Sequence, residues 1–353
     1  MTGRRLTRIL LFAVMFLAAA VSLHAQTGGN TVFNFLAVPV SGRQAALGGK
    51  LLSVWDNDPT LAISNPSLLS PEGDGSLSLQ CVDYFSNAFY GNADYIRAWD
   101  AGTFRFGVHA ISYGDFEGYD PYGNGTGEFS AGDVVLTAGI GRPIVPDKIS
   151  MGMNVKGIFS YYETYFSAGL AVDVAATYYD KEKNFSMSLM ASNIGAQFVR
   201  YVDEREYLPF DLQLALSRKL EHLPARFHFV FHHLYRWNLR YDDPTDPYLE
   251  YDIVTGEAKK ASGLERFADN AFRHFVFGLE LEPARVLSIQ FSYNYGMRRE
   301  MRLYNRPGAT GISYGVCLHV KKFHLQYARV HYNRASIPNF ITLSTNLNDL
   351  IKK

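Results

Sequence analysis

The chain has 353 residues, equal numbers of acidic and basic side chains and a mean hydropathy of −0.09. This average is too polar for a bundle of membrane helices, and zero net charge gives no reason to expect a nucleic-acid partner. The 23 tyrosines, 25 phenylalanines and 30 glycines favour strands joined by tight turns. A membrane β-barrel fits this balance, because residues that face the lumen dilute those that face lipid.

Residues 1–25 have the pattern of a secretory signal peptide. Three arginines precede Ile9–Val21, an apolar stretch too short to span a membrane comfortably, and a small-residue cleavage site follows at Ala25. An uncleaved anchor helix is the alternative. We expect an exported protein whose mature chain begins near Gln26.

Residues 26–74 differ from the rest of the chain. We expect a short extended segment over 31–38, a short helix over Ser41–Gly49 ended by two glycines, and turns at Asp56–Pro59 and Asn65–Pro66. A compact segment that precedes a barrel is usually a plug in the lumen. A periplasmic appendage is the alternative.

Alternation of apolar and polar residues dominates the region 75–353. Leu287, Ile289 and Phe291 share one strand face, for example, and polar residues occupy the other. The pattern predicts an all-β fold, a transmembrane antiparallel β-barrel of about 14 strands. The predicted strands are 76–85, 88–98, 102–113, 132–142, 149–161, 165–179, 184–195, 208–219, 225–237, 272–282, 285–297, 309–320, 322–332 and 339–347.

Connection lengths test this prediction independently. Short connections follow the even-numbered strands, whereas the long ones, 114–131, 196–207, 238–271 and 298–308, all follow odd-numbered strands. Outer-membrane barrels have short periplasmic turns and long extracellular loops. We therefore expect an outer-membrane protein with both termini in the periplasm.

The two cysteines, Cys81 and Cys317, are predicted to be unpaired. In the strand phasing, Cys81 lies on the apolar face and Cys317 on the lumen face. A disulfide between opposite faces of the wall is not expected.

The long extracellular loops are the candidate interaction surface, because aromatic residues are enriched at interfaces. The candidate partner-binding residues are Tyr241, Asp242, Asp243, Tyr248, Tyr251, Phe116, Tyr119 and Tyr122. Contact with lipopolysaccharide alone, without a protein partner, is an equal alternative. The acidic residues of 238–271 lack the spacing of a calcium loop, so a solvated loop is favoured over a metal site.

Basic side chains mark a second candidate surface. Arg298, Arg299 and Arg302 lie in the sixth extracellular loop of the predicted barrel. Guanidinium groups bind phosphate and carboxylate, so these residues are candidates for facing lipopolysaccharide.

No catalytic, cofactor or metal site is expected. His232 and His233 are adjacent near the end of the ninth predicted strand, and neighbouring strand residues point to opposite faces. Roles in the lumen or at an interface are favoured over metal binding. No short motif marks the active site of an outer-membrane hydrolase, although a spatial constellation would be invisible in sequence.

Several short motifs in order resemble one protein family. Ser41-x-Arg-Gln-Ala-Ala-Leu-Gly-Gly49, Asp56-x-Asp58-Pro59 and Asn65-Pro66-Ser67-Leu68-Leu69 look like the N-terminal signature of the PorV/PorQ group, which is similar to the fourteen-stranded FadL-type barrels. Later segments narrow the resemblance to the PorQ family. They are Val82–Phe85, Gly127–Ala131, Asp173–Tyr178, Leu208–Phe210, His222–Pro224, Tyr293–Tyr295, Arg306–Gly308 and Ser344–Leu347.

The resemblance implies a non-enzymatic role in the type IX secretion system of Bacteroidetes-type bacteria. In the attachment complex, PorV carries cargo, PorU removes its C-terminal signal, and PorZ engages the lipopolysaccharide to which cargo is joined. A PorQ-type barrel would hold a PorZ-like protein at the surface. The alternatives are a FadL-like transporter of hydrophobic small molecules, which the polar lumen positions disfavour, and a barrel enzyme.

Overall fold

The computed structural model describes residues 31–56, 58–84, 88–240, 262–302 and 308–351. Fourteen antiparallel strands pair in chain order, and β1 also pairs with β14, so the sheet closes into one barrel. Closure removes the exposed edges that an open sheet presents to other chains. The predicted fold and strand number are confirmed, whereas the expected signal peptide lies outside the described residues.

The strands are longest on one side of the barrel. Their bounds in chain order are β1 Ser76–Asp83, β2 Phe89–Trp99, β3 Gly102–Tyr119, β4 Gly125–Val145, β5 Ile149–Tyr162, β6 Tyr165–Asp180, β7 Phe185–Val199, β8 Asp211–Lys219, β9 Ala225–Phe231, β10 Phe275–Ala284, β11 Leu287–Asn294, β12 Ile312–Val320, β13 Phe323–Val330 and β14 Asn339–Asn346.

The outer face of the wall is apolar, and the inner face is mainly polar. In β1, Leu79 is 47% exposed on the outside, whereas Ser78 and Gln80 are buried on the inside. Leu343 of β14 lies directly opposite Leu79 and is also exposed. This alternation is the pattern of a barrel wall with lipid outside. Cys81 is exposed and Cys317 is buried, and both are free, as predicted.

The connections are segregated by length, as the sequence predicts. We call the two ends of the barrel the short-turn end, where for example residues 100–101 and 285–286 connect strands, and the long-loop end, where residues 200–210 and 232–274 do so. Residues 114–131, however, are not a loop. β3 and β4 continue to Tyr119 and Gly125 and form a hairpin that extends past the barrel, because Phe116 and Phe129 pair across it.

At the long-loop end, two helices lie where the sequence predicts the end of a strand and a loop. β11 ends at Asn294, whose side chain accepts a hydrogen bond from the Met297 amide and begins helix α4 (Tyr295–Met301), so the predicted strand 285–297 is too long. β9 also ends six residues before its predicted end. Helix α3 (Gly263–Arg273) begins with a capping box formed by Ser262 and Glu265.

The segment 31–75, here called the plug, lies inside the barrel. It contains helices α1 (Gly42–Ala46) and α2 (Pro59–Ser64), and 3-10 turns at Asn34–Ala37, Pro66–Leu68 and Pro71–Gly73. The predicted short helix is confirmed. The predicted extended segment 31–38 is wrong, because it contains a 3-10 turn preceded by Phe33 in the left-handed region, with φ 59°.

The plug runs along the barrel from one end to the other. The Val32 amide donates to the Tyr207 carbonyl at the long-loop end, whereas the Asp74 carbonyl accepts from the Asn346 amide at the short-turn end. Helix α5 (Leu347–Ile351) follows β14 at the short-turn end. The chain before Thr31 lies outside the described residues, so the expected periplasmic N-terminus stays a prediction.

The hydrophobic core lies between the plug and the wall. Val32, Phe33 and Phe35 of the plug pack in one buried cluster with wall residues that include Tyr90 and Phe340. The lumen is therefore filled on this side by side chains. Within the described part of the chain, no helix is long and apolar enough to cross a membrane.

Candidate functional site: the plugged lumen

A cluster of charged side chains, buried except for Asp56, joins the plug to the wall. Arg43 of α1 forms two hydrogen bonds with Glu280 of β10, at 2.9 and 2.7 Å, and also contacts Asp58 at 3.1 Å and Asp56 at 2.8 Å. Arg226 of β9 contacts Asp56 at 2.9 Å and Glu280 at 3.1 Å. The guanidinium groups of Arg43 and Arg226 thus contact three carboxylates. These contacts join the plug to the wall strands β9 and β10.

Local structure places Arg43 at this point. The Gly42 amide donates to the Thr342 hydroxyl at 2.9 Å and the Arg43 amide donates to the Gln326 side chain at 3.0 Å, which seats the start of α1 on β13 and β14. Burial alone would raise the pKa of Asp56, but the guanidinium groups of Arg43 and Arg226 outweigh it and lower this pKa to about 2. Asp56 is therefore ionised at neutral pH.

A second anchor lies nearer the short-turn end. The Asn65 side chain donates to the Leu52 carbonyl at 2.6 Å, and the Ser67 hydroxyl lies 2.7 Å from the Thr177 hydroxyl of β6. Glycines on the facing wall allow this close approach. A Cβ atom at Gly152 would overlap the Pro66 carbonyl group.

Two cavities of more than 300 Å³ lie beside the plug among the described residues. The outer cavity, at the long-loop end, has a volume of about 650 Å³ and is lined by residues that include Phe35 and Tyr90. The inner cavity, at the short-turn end, has a volume of about 310 Å³ and is bounded by Arg43 and Glu280. Among the described residues no side chain lines both cavities, so the plug and its charged cluster separate them.

The outer cavity has a mixed apolar and polar lining. The plug contributes Leu36, Val38 and Val40, whereas the wall contributes ion pairs such as Lys156 with Asp173, whose atoms lie 2.8 Å apart. A uniformly apolar pocket, expected for a carrier of hydrophobic molecules, is therefore not present in the described structure. The cavity suits an amphipathic molecule better.

His232 and His233 lie together on the wall of the outer cavity. β9 ends at Phe231 and His233 has φ 54°, so the backbone turns and both rings point to the same side. Their centroids lie 4.7 Å apart, and His233 Nδ1 lies 3.1 Å from Asp211 Oδ1 of β8. The prediction that the two histidines point to opposite faces is wrong, because it assumed that the strand continues.

The hairpin of β3 and β4 contains the described part of the predicted interaction surface. Pairing of β4 with β5 ends at Ala131, so residues 114–130 have no flanking strand. Phe116, Tyr119 and Tyr122 are 43%, 62% and 91% exposed. The structure therefore brings three predicted partner-binding residues onto one projecting element. The other candidates, Tyr241, Asp242, Asp243, Tyr248 and Tyr251, lie outside the described residues.

Most of the predicted lipopolysaccharide-facing arginines bind protein groups in the rim, the name used here for helices α3 and α4 and the adjoining segment 308–311 at the long-loop end. Arg298 donates to the backbone carbonyls of Gly308 and Thr310, and Arg299 Nε lies 3.0 Å from Asp269 Oδ1 of α3. Arg302 is exposed just beyond α4. Arg298 and Arg299 thus bind protein groups, and phosphate contact by all three arginines stays a prediction.

Comparisons with known proteins support the fold. No family model matches the chain, and no curated protein matches its sequence. A solved structure of the TodX deltaS2S3 mutant monoaromatic hydrocarbon channel is 12% identical, with a TM-score of 0.53 over 88% of this chain and 99% of that chain. The Pseudomonas putida toluene transporter TodX is 13% identical, with a TM-score of 0.49 over 88% and 98%. At these identities the likeness extends to the barrel fold alone.

Proposed function

We propose that this protein is an outer-membrane barrel that holds a surface partner, without enzymatic activity of its own. The observation that carries the proposal is the projecting β3–β4 hairpin, with Tyr119 and Tyr122 exposed beyond the wall. Exposed aromatic side chains on a rigid element are typical anchors of protein interfaces. The resemblance to the PorQ family supplies the partner: a PorZ-like protein, in one complex with PorU and PorV.

The outer surface supports a membrane location. Phe106 of β3 and Leu136 of β4 are 45% and 52% exposed on the outer face. Apolar side chains that would be costly in water are stabilised by lipid, and closure satisfies the backbone of the wall. On this proposal the short-turn end faces the periplasm and the hairpin faces the exterior.

The filled lumen supports a static role. The plug separates the two cavities. The ion pairs of Asp56 with Arg226 and of Arg43 with Glu280 hold it to β9 and β10, and the Arg43 amide donates to the Gln326 side chain of β13. Removing one partner of such a buried pair costs about 3–5 kcal/mol. A plug that is fixed to the wall between two separate cavities suits an anchor better than an open channel.

Affinity purification from native outer membranes tests the proposal. We expect a surface protein to co-purify with the wild-type chain, and replacement of Tyr119 and Tyr122 with serine to release it while the barrel stays folded. Leu223→Ser is the matched control, because Leu223 is 60% exposed at the short-turn end. Retention of the partner by the hairpin variant would exclude the hairpin as the docking surface.

Passage of small hydrophobic molecules is the second candidate. The volume of the outer cavity, about 650 Å³, favours it although the lining is partly polar, and the fold shared with a hydrocarbon channel also favours it. Pairing of β7 with β8 also ends at Ser192 and Asp211, below the top of β7. Transport would require the plug to move or the wall to open between β7 and β8.

A disulfide crosslink between the plug and the wall distinguishes the anchor function from the transport function. The hydroxyl oxygens of Ser53 in the plug and Ser217 in β8 lie 2.6 Å apart, so cysteines at both positions, with Cys81 and Cys317 replaced by serine, would fix the plug to the wall. We expect the oxidised variant to keep its surface partner. Uptake of a hydrophobic fluorescent probe into proteoliposomes, abolished by oxidation and restored by reduction, would instead establish transport.

A further inference from the structure

We propose that Asp211, His232 and His233 form a binding site for a divalent transition-metal ion, such as Zn²⁺, on the wall of the outer cavity. One ligand atom from each of the three side chains lies within 4.8 Å of the other two. The proposal does not depend on whether the barrel anchors a partner or transports a molecule.

The ligand set defines the class of metal. Two imidazoles and one carboxylate suit Zn²⁺, Ni²⁺, Cu²⁺ or Fe²⁺, whereas Mg²⁺ and Ca²⁺ prefer oxygen ligands alone. Tetrahedral zinc places its ligand atoms about 3.3 Å apart. His233 Nδ1 and Asp211 Oδ1, 3.1 Å apart, already have this separation. The His232 ligand atom lies within 4.8 Å of both, so tetrahedral binding requires this ring to move closer to the other two, and the adjoining outer cavity can supply a fourth ligand from solvent.

The unsatisfied state of His232 is the independent observation that points to a ligand. This residue is only 6% exposed, and neither of its ring nitrogens has a hydrogen-bond partner among the described residues. Buried polar atoms in native proteins are nearly always satisfied by protein, water or an ion. His232 also lines the outer cavity, so a metal ion can reach a nitrogen that the protein leaves free.

The surrounding residues hold the ligands in place. The His233 amide donates to Asp211 Oδ1 at 2.6 Å, and Lys50 Nζ lies 2.8 Å from Asp211 Oδ2. The His232 amide donates to the His274 carbonyl, and His274 Nδ1 lies 2.7 Å from the His232 carbonyl. Partners of this kind orient the ligands of metal sites. Lys50 opposes metal binding, because its positive charge repels a cation bound at Asp211 Oδ1.

The left-handed backbone at His233 makes the site possible. With φ 54° this residue lets two consecutive side chains converge on one point, which a continued strand would prevent. Asparagine adopts this backbone region more readily than most residues. His233→Asn therefore removes the imidazole with little change to the backbone.

Calorimetric titration of the full-length, chelator-treated barrel in detergent with Zn²⁺ tests the proposal. We expect one equivalent to bind, and His232→Gln, Asp211→Asn and His233→Asn each to weaken binding by at least about 100-fold. Lys50→Gln should tighten it. Circular dichroism and heat-dependent gel mobility verify that each variant is folded.

A second histidine pair in the lumen provides the matched control. His319 and His324 face each other across β12 and β13, with ring centroids 4.5 Å apart, on the wall of the inner cavity. His324→Gln should leave zinc binding unchanged. Absence of binding to the wild type, binding that survives in folded His232→Gln and His233→Asn variants, or loss of binding in His324→Gln would each overturn the proposal.

Discussion

Arg43 Nη2 lies 2.7 Å from Glu280 Oε2, although the two residues are 237 positions apart in the chain. Both side chains are almost completely buried, at 6% and 1% exposure. This pair ties the plug to the wall at mid-barrel, and the structure supports three predictions about how that attachment and the rim above it respond to substitution.

Glu280→Gln should destabilise the barrel by about 3–5 kcal/mol, because it leaves the Arg43 guanidinium buried with less compensating charge. Denaturant unfolding of the refolded protein in detergent measures the change. Glu282→Gln is the control in the same strand. Its carboxylate is 27% exposed and pairs with Lys219 and, at 3.5 Å, with the edge of the Arg226 guanidinium, so its loss should cost only about 1 kcal/mol. Equal effects of the two substitutions would contradict a special role for the buried cluster.

Gly152→Ala should displace the plug, because the added methyl group overlaps the Pro66 carbonyl. Overpacking of this kind costs about 1–3 kcal/mol. Gly157→Ala, in the same strand, is the control: its Cβ would lie 3.7 Å from the nearest atom, the side chain of Phe159. We expect faster proteolysis of the plug in the first variant alone. If both variants resist protease equally, the wall does not constrain the plug at Gly152.

The rim helix α3 should loosen in acid. Burial would raise the pKa of Asp269, but the Tyr295 hydroxyl, 2.6 Å away, and the guanidinium groups of Arg273 and Arg299 outweigh it and lower this pKa. A lowered pKa in the folded state stabilises the rim above the unfolded value of about 3.9. This stabilisation is lost as the pH falls through the folded value.

Amide hydrogen exchange of α3 measures this effect. Protection should decrease below about pH 4 in the wild type, and Asp269→Asn should lower it already at neutral pH. Asp180→Asn is a control, because this carboxylate lies at the short-turn end, far from α3, and pairs with the exposed Lys183. Unchanged protection of α3 in Asp269→Asn at neutral pH would show that this carboxylate does not hold the rim.

The barrel could be predicted from the sequence because every strand of its wall alternates apolar and polar residues. Apolar residues such as Leu287 and Ile289 recur at every second position, and the same lipid environment selects them in each strand. The helix at Gly42–Ala46 was also predictable, from helix formers followed by Gly48 and Gly49, which have φ 85° and 81°.

The candidate sites were less predictable, because they lie where strands end early, become helices or extend beyond the wall, and the alternation of apolar and polar residues is interrupted there. No signal in the sequence shows that β9 ends at Phe231, so the convergence of His232 and His233 could not be anticipated. The start of α3 was visible in principle, since Ser262 and Glu265 have the spacing of a capping box. The β3–β4 extension was hidden by the glycines and acidic residues that interrupt its alternation.

The order in which the chain is made conflicts with the order in which the structure closes. The plug is synthesised before every strand, yet it ends up enclosed by a ring whose last seam joins β1 to β14. Gly42 and Arg43 contact β14 and β13, strands that are among the last to be made. The contacts of α1 with the wall can form only once β13 and β14 are in place, so seating of the plug and closure of the last seam are coupled.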